Sequence, residues 1–141
     1  MTHSLRTVFR FWTALLFVAV LVQVGLAGYG AFSADHHGSD HGTVTHKQFD
    51  HGFGPHIALG YLIFLGTVLL LLLALLARAG RRVVLQSLTL ALLVLLAVVL
   101  ALLGADHPVV GILHPIDALA IVGAAGALAY REWAGRSPRR P

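Results

Sequence analysis

The sequence predicts an all-α integral membrane protein, an up-and-down bundle of four transmembrane helices with both termini in the cytoplasm. Hydrophobic residues make up 57% of the 141 residues and charged residues only 11%, less than half the share of about 25% that is usual in soluble domains. The apolar residues gather at 11–32, 55–77, 83–104 and 109–130. Each stretch has about 20 residues, which is what a helix needs to cross about 30 Å of hydrocarbon.

Helices are favoured over strands because a transmembrane strand needs only about 10 residues and alternates in polarity. A helix also bonds its own backbone N–H and C=O groups, as hydrocarbon requires. We therefore expect residues 1–141 to form a single transmembrane domain. The first apolar stretch is longer than the apolar core of a signal peptide, so we expect an uncleaved helix.

The basic residues set the predicted orientation. Nine of the ten flank the predicted helices on one side, and only Lys47 falls on the other. The nine are Arg6, Arg10, Arg78, Arg81, Arg82, Arg131, Arg136, Arg139 and Arg140. This asymmetry is the positive-inside pattern of a multi-pass protein, which we expect in a bacterial inner membrane. It accounts for the net charge of +4 through topology and contact with membrane lipid, without a nucleic-acid partner.

The first two predicted helices are joined by a long polar segment. The first carries Gln23 and a glycine-rich outer end, and the second opens at Pro55, which suits a first helical position because its missing N–H has no helical partner there. Residues 33–54 between them are polar and contain several glycines. We expect this segment to be an external loop that is mobile or only locally ordered.

The last two predicted helices differ in their side chains. The third is mostly Leu, Val and Ala, with Gln86, Ser87 and Thr89 near its inner end. The fourth follows the string "ADHPVVGILHPID" and is rich in Ala and Gly. Small residues let helices approach closely in a membrane, so the fourth helix is expected at the centre of the bundle. The chain has no cysteine, which excludes disulfides, thiolate ligands and a thiol nucleophile.

Five of the nine histidines fall in the predicted outer loop, and they suggest metal binding. They are His36, His37, His41, His46 and His51. Neutral imidazole suits Cu(II), Zn(II) or Ni(II), and the neighbouring carboxylates of Asp35 and Asp40 offer further ligands. The glycines of the loop favour a weak, exchangeable site over a structural one. The alternatives are a loop that responds to pH and a solvated linker.

Two other histidines suggest a different site. His56 and His114 each stand at the start of a helix that runs from outside to inside, so we expect them at similar depth near the outer face. Two imidazoles on two helices can fill both axial positions of a haem iron. Gly60 and Ala118, one turn further in, are expected to leave room for the macrocycle. Asp117 is placed to accept the second N–H of a ligating imidazole.

The same stretches resemble a known family. "LVQVGLAGYGAF" looks like the first helix of a heme A synthase half, "PHIALGYLI" like its ligand-bearing second helix, and "LQSLTLALLVLLAVVLALLG" with "LHPIDALAIVGAA" like its third and fourth. The resemblance covers residues 10–130 as one four-helix unit, whereas the synthases contain two. The chain resembles more closely still a group of small, uncharacterised four-helix bacterial membrane proteins with one such unit. The resemblance implies haem b with His56 and His114 as ligands.

The departures from that family bear on enzyme activity. The synthases have a glutamate four residues before a ligand histidine, where this chain has Gly52, and commonly an arginine after it, where this chain has Ile57. These differences argue against synthase chemistry without deciding whether the chain is an enzyme. Three functions stay open: a haem protein for electron transfer, haem handling or accessory to a respiratory complex; a metal-binding protein acting through the outer loop; and a structural or assembly subunit without a cofactor.

Overall fold

The chain folds into four long helices and one short one. A computed structural model describes residues 3–134, apart from the side chains of His3 and His41. The helices are α1 (His3–His41), α2 (His46–Leu76), α3 (Arg81–Asp106), α4 (Pro108–Gly111) and α5 (Leu113–Ala134). Four spans, the last formed by α4 with α5, are long and apolar enough to cross a membrane. The predicted all-α, four-helix membrane fold is confirmed.

The four long helices form a closed ring in which each packs against two neighbours. The order around the ring is α1, α2, α3, α5 and back to α1. Helices α2 and α5 therefore occupy opposite corners, and within residues 3–134 no Cα of α2 comes within 8 Å of a Cα of α5. This diagonal relation leaves the space between α2 and α5 to side chains.

The core lies along the inward faces of all four long helices, and the outward faces are apolar. Buried core residues include Leu16, Val20, Ile63, Leu70, Leu90, Val94, Ile121 and Leu128. Glycine allows close packing where a Cβ would collide: at Gly66 it would lie 2.7 Å from the Leu16 side chain. Many large aliphatic side chains face outwards, among them Leu62 and Leu119. Such a surface suits lipid as the surrounding solvent.

One end of the bundle is held by a contact between α1 and α5. The Arg10 guanidinium lies 3.5 Å from the centroid of the Trp133 ring, and Trp133 Nε1 donates to the Arg10 carbonyl over 3.4 Å. Phe11 meets the same indole edge-on, with ring centroids 5.6 Å apart. The beginning of α1 and the end of α5 thus lie together at one end of the bundle, as an up-and-down arrangement requires.

The predicted outer loop at residues 33–54 is wrong. Helix α1 continues to His41 and α2 begins at His46, so only residues 42–45 connect them. Gly42 has φ +72°, a left-handed conformation that ends a helix at little cost when the residue is glycine. Thr45 starts α2 through a capping box with Gln48, ten residues before Pro55. The polar segment is therefore a helical hairpin, named here the outer hairpin (residues 33–54).

The connection from α3 to α5 is an elbow built on two glycines. Helix α3 ends at Asp106, α4 is a single turn, and α5 starts at Leu113 instead of the predicted residue 109. A Cβ on Gly104 would lie 2.8 Å from the Gly111 Cα. This backbone contact fixes how the chain enters α5 and hence where His114 lies.

Candidate functional site

The structure brings His56 and His114 together. Their ring centroids are 6.2 Å apart and their planes meet at 71°. His114 is the second residue of α5 and so stands at a helix start, as predicted. His56 lies about three turns into α2 and not in its first turn, because α2 begins at His46. Both side chains are partly buried. Two helices at opposite corners of the bundle thus contribute one imidazole each.

Each imidazole is oriented by a backbone carbonyl of a neighbouring helix. His56 Nδ1 lies 3.1 Å from the Gln23 carbonyl oxygen on α1, and His114 Nδ1 lies 2.9 Å from the Ala97 carbonyl oxygen on α3. A carbonyl oxygen only accepts, so Nδ1 carries the proton in both rings and donates it. Each neutral ring then keeps the lone pair on Nε2, the nitrogen that is free to bind a metal.

Gln23 connects α1 to α2 by accepting one hydrogen bond from His56 and donating another to it. Its carbonyl accepts from the His56 ring, and its side-chain Nε2 donates to the His56 carbonyl over 2.8 Å. A Cβ on Gly60 would lie 3.0 Å from the same Nε2. The small residue at position 60 therefore makes room for the Gln23 amide, whereas the sequence predicted room for a macrocycle there. The sequence offered one signal for Gln23, a lone amide in an apolar helix.

The role predicted for Asp117 is corrected by the structure. The Ala97 carbonyl, and not the Asp117 carboxylate, accepts the second N–H of His114. Asp117 is 8% exposed, and its Oδ2 has no hydrogen-bond partner among the described residues. Ala118, beside it on α5, is partly buried. Sequence reasoning had no means of finding Ala97, because any residue supplies a backbone carbonyl.

Aromatic rings pack against the His56 side of the pair. Phe53 meets the His56 ring edge-on at 6.4 Å between centroids, and Phe49 stacks on Phe53 at 4.7 Å. The Phe53 ring occupies the space that a Cβ on Gly30 would need. The glycine-rich end of the first apolar stretch thus accepts a ring that lies next to the histidine.

The separation of the two rings matches that of two ligands on one metal. With C–N bonds of about 1.33 Å, each imidazole nitrogen lies about 1.1 Å from its ring centroid. Two metal–nitrogen bonds of about 2 Å then put the centroids about 6.3 Å apart. The observed 6.2 Å agrees with this value for rings whose Nε2 atoms both face the midpoint between them. The two imidazoles are therefore close enough to serve one metal.

The number of ligands favours a haem iron over a bare ion. Among the described residues no group of three or more His, Cys, Asp or Glu side chains is arranged to hold a metal ion. A protein-bound zinc ion generally takes three or four protein ligands. A haem iron is bound by four nitrogens of its macrocycle and takes at most two ligands from the protein. Two imidazoles alone suit the second case.

The outer histidines lie apart from this pair. His36 Nε2 is 3.5 Å from Asp40 Oδ2 near the end of α1, and the His36 and His37 rings are 5.8 Å apart. His46 and His51 are exposed on α2. The side chain of His41 lies outside the described residues. Metal binding by these five histidines stays a prediction.

Comparisons of the chain with protein-family models, with curated proteins and with solved structures gave no match. The resemblance to heme A synthase therefore stays a prediction made from the four quoted strings.

Proposed function

We propose that this integral membrane protein binds one b-type haem between α2 and α5, with His56 and His114 as the axial ligands. The observation that carries the proposal is the 6.2 Å separation of the two rings, each of which is bonded through Nδ1 to a backbone carbonyl. The proposed setting is the outer half of a bacterial inner membrane. The proposed role is electron transfer, haem handling or service as an accessory to a respiratory complex.

The carbonyl bonds support this proposal because metal-bound histidines almost always donate their other N–H to a fixed acceptor. Such a bond selects the tautomer, holds the ring plane and makes the free nitrogen a better ligand. Gln23 and Ala97 do this from α1 and α3, the two helices that separate α2 from α5. All four long helices therefore contribute to the two ligand positions.

The chemistry proposed is electron transfer rather than oxygenation. A haem held by His56 and His114 would have no open position left for oxygen or a substrate, and the chemistry it would supply is one-electron transfer. Gly52 stands where the synthases have a glutamate, and the structure leaves little space for a side chain there. Gly52 is buried, and a Cβ there would lie 3.2 Å from the Ser33 side chain. A carboxyl group at that position requires Ser33 or the backbone to shift.

The test is a visible spectrum of the full chain, purified in detergent from cells that are supplied with a haem precursor. We expect a Soret band, sharp α and β bands on reduction, and a pyridine haemochrome that identifies haem b at one per chain. A protein that folds and stays colourless under these conditions contradicts the proposal. The structural or assembly subunit then becomes the better account.

A further inference from the structure

A groove lies between α3 and α5, at the end of the bundle where α3 begins. It has a volume of about 310 Å³ and is lined by Arg82, Leu85, Gln86, Thr89, Ala124 and Ala127. Arg82 is the second residue of α3. The positive-inside pattern places this end of the bundle at the cytoplasmic leaflet. The name α3–α5 groove is used below for these six residues.

Three polar side chains follow one another along the α3 side of the groove. Arg82, Gln86 and Thr89 are spaced by four and three residues, which puts them on one helix face. Within residues 3–134 none of these side chains has a hydrogen-bond or ion-pair partner. Polar groups that face lipid without partners are costly in a transmembrane helix. Their alignment along a groove indicates a ligand that runs parallel to α3.

The rest of the lining is apolar or small. Leu85 supplies aliphatic surface on α3, and Ala124 and Ala127 give the groove its depth on α5. From the beginning of α3, the lining on this helix changes from a cation to an amide and then to a hydroxyl, and the two alanines lie on α5. A phospholipid offers matching groups, a phosphate followed by ester carbonyls, and acyl chains for the apolar lining.

We propose that the α3–α5 groove binds one anionic phospholipid of the cytoplasmic leaflet. The Arg82 guanidinium binds the phosphate through charge-assisted hydrogen bonds. Gln86 and Thr89 donate to the ester carbonyls, and one acyl chain lies against Ala124 and Ala127. This site is independent of the proposed haem.

Charge favours lipid over a second copy of the chain as the occupant. The lining contains one cation and no carboxylate, so the groove complements an anion. In a two-fold contact centred on the groove, the same surface of each copy meets the other, which brings two Arg82 side chains together without a carboxylate from the lining. An anionic headgroup neutralises Arg82 instead.

The test compares two neighbouring arginines. The full chain in detergent is titrated with phosphatidylglycerol or with phosphatidylcholine of the same acyl chains, and bound lipids are counted by native mass spectrometry. We expect one phosphatidylglycerol to bind in preference to phosphatidylcholine. Arg82→Gln should weaken phosphatidylglycerol binding about tenfold, the scale of one charge-assisted hydrogen bond. Arg81→Gln, an exposed neighbour outside the groove, should leave it unchanged.

A second variant separates headgroup from ester binding. Gln86→Leu should weaken both lipids to a similar degree, because both carry the same ester carbonyls. Equal losses in Arg81→Gln and Arg82→Gln contradict the proposal, since they show diffuse attraction to the basic end of the bundle. A change of oligomeric state in Arg82→Gln without loss of lipid contradicts it as well, and assigns the groove to a second copy.

Discussion

His56 and His114 meet across the bundle although their helices lie at opposite corners of it. The ring centroids are 6.2 Å apart, and each ring is held from the side by a carbonyl of the remaining pair of helices. The position of each ring therefore depends on the packing of two neighbouring helices as well as on its own. Disturbing a contact between helices should move a ligand without touching a histidine.

Gln23 provides the first test, which concerns the contact between α1 and α2 and not the position of a ligand. Gln23→Met removes the side-chain bond to the His56 carbonyl and keeps the backbone carbonyl that orients the ring. We expect a loss of stability of about 1 kcal/mol, typical of one hydrogen bond between helices, with the haem spectrum retained. Thermal unfolding in detergent, followed by circular dichroism, measures the change. Val24→Met, at an exposed neighbour, is the matched control, and equal stability of the two variants contradicts the prediction.

The glycine elbow provides the second test. Gly104→Ala places a methyl group 2.8 Å from the Gly111 Cα, which is backbone and cannot rotate away. We expect a loss of about 1–3 kcal/mol from overpacking and a lower haem content, because α5 and His114 shift with the elbow. Gly123→Ala, where nothing lies within 4 Å of the new Cβ, should keep or raise stability. Both are measured by thermal unfolding and haem content per chain. If Gly104→Ala and Gly123→Ala have the same thermal stability and the same haem content, the elbow does not position α5.

The outer hairpin provides the third test. Replacing His36, His37 and His41 together with alanine should weaken any binding of Cu(II) or Zn(II) and leave the haem spectrum unchanged. The reason is distance along the chain: His36 and His37 lie near the end of α1, beyond Gln23 and the histidine pair. Equilibrium dialysis with each metal and a visible spectrum measure the two effects. Loss of haem in the triple variant shows that the two histidine groups are not separate.

Topology provides the fourth test. Reporter fusions at Ala79 and after Ser137 should read as cytoplasmic, and fusions within residues 42–45 or at Val109 should read as external. The expectation rests on the arginines that flank the helices on one side. An external reading after Ser137 contradicts it and removes the α3–α5 groove from the cytoplasmic leaflet.

The sequence predicted the helices better than their ends, for a physical reason. Apolar runs of membrane length identify the spans, because a helix of that length crosses the hydrocarbon layer with its own backbone N–H and C=O groups hydrogen-bonded. Polar composition gave no warning that the outer hairpin is helical, since a capping box at Thr45 and a left-handed Gly42 decide it locally. The glycine content of residues 33–54 favoured a loop prediction, and the short capping motif at Thr45 was not recognised.

The candidate site was predicted in part. Pairing His56 with His114 followed from their matched depth, and the structure brings these rings together. Their acceptors, Gln23 and Ala97, act through backbone carbonyls, which every residue carries and no pattern identifies. The expectation for Asp117 failed because its carboxylate is not the partner of His114 Nδ1. Three-residue spacing puts two side chains on one face without deciding which neighbour a ring nitrogen meets.

The central claim is tested most directly by the spectrum of the reduced protein in three histidine variants. His56→Ala and His114→Ala should each abolish the low-spin haem spectrum while circular dichroism shows the helical content of the wild type. His107→Ala should keep it, because His107 is exposed between α3 and α4. A wild-type low-spin spectrum in either His56→Ala or His114→Ala would contradict the assignment of that histidine as a haem ligand.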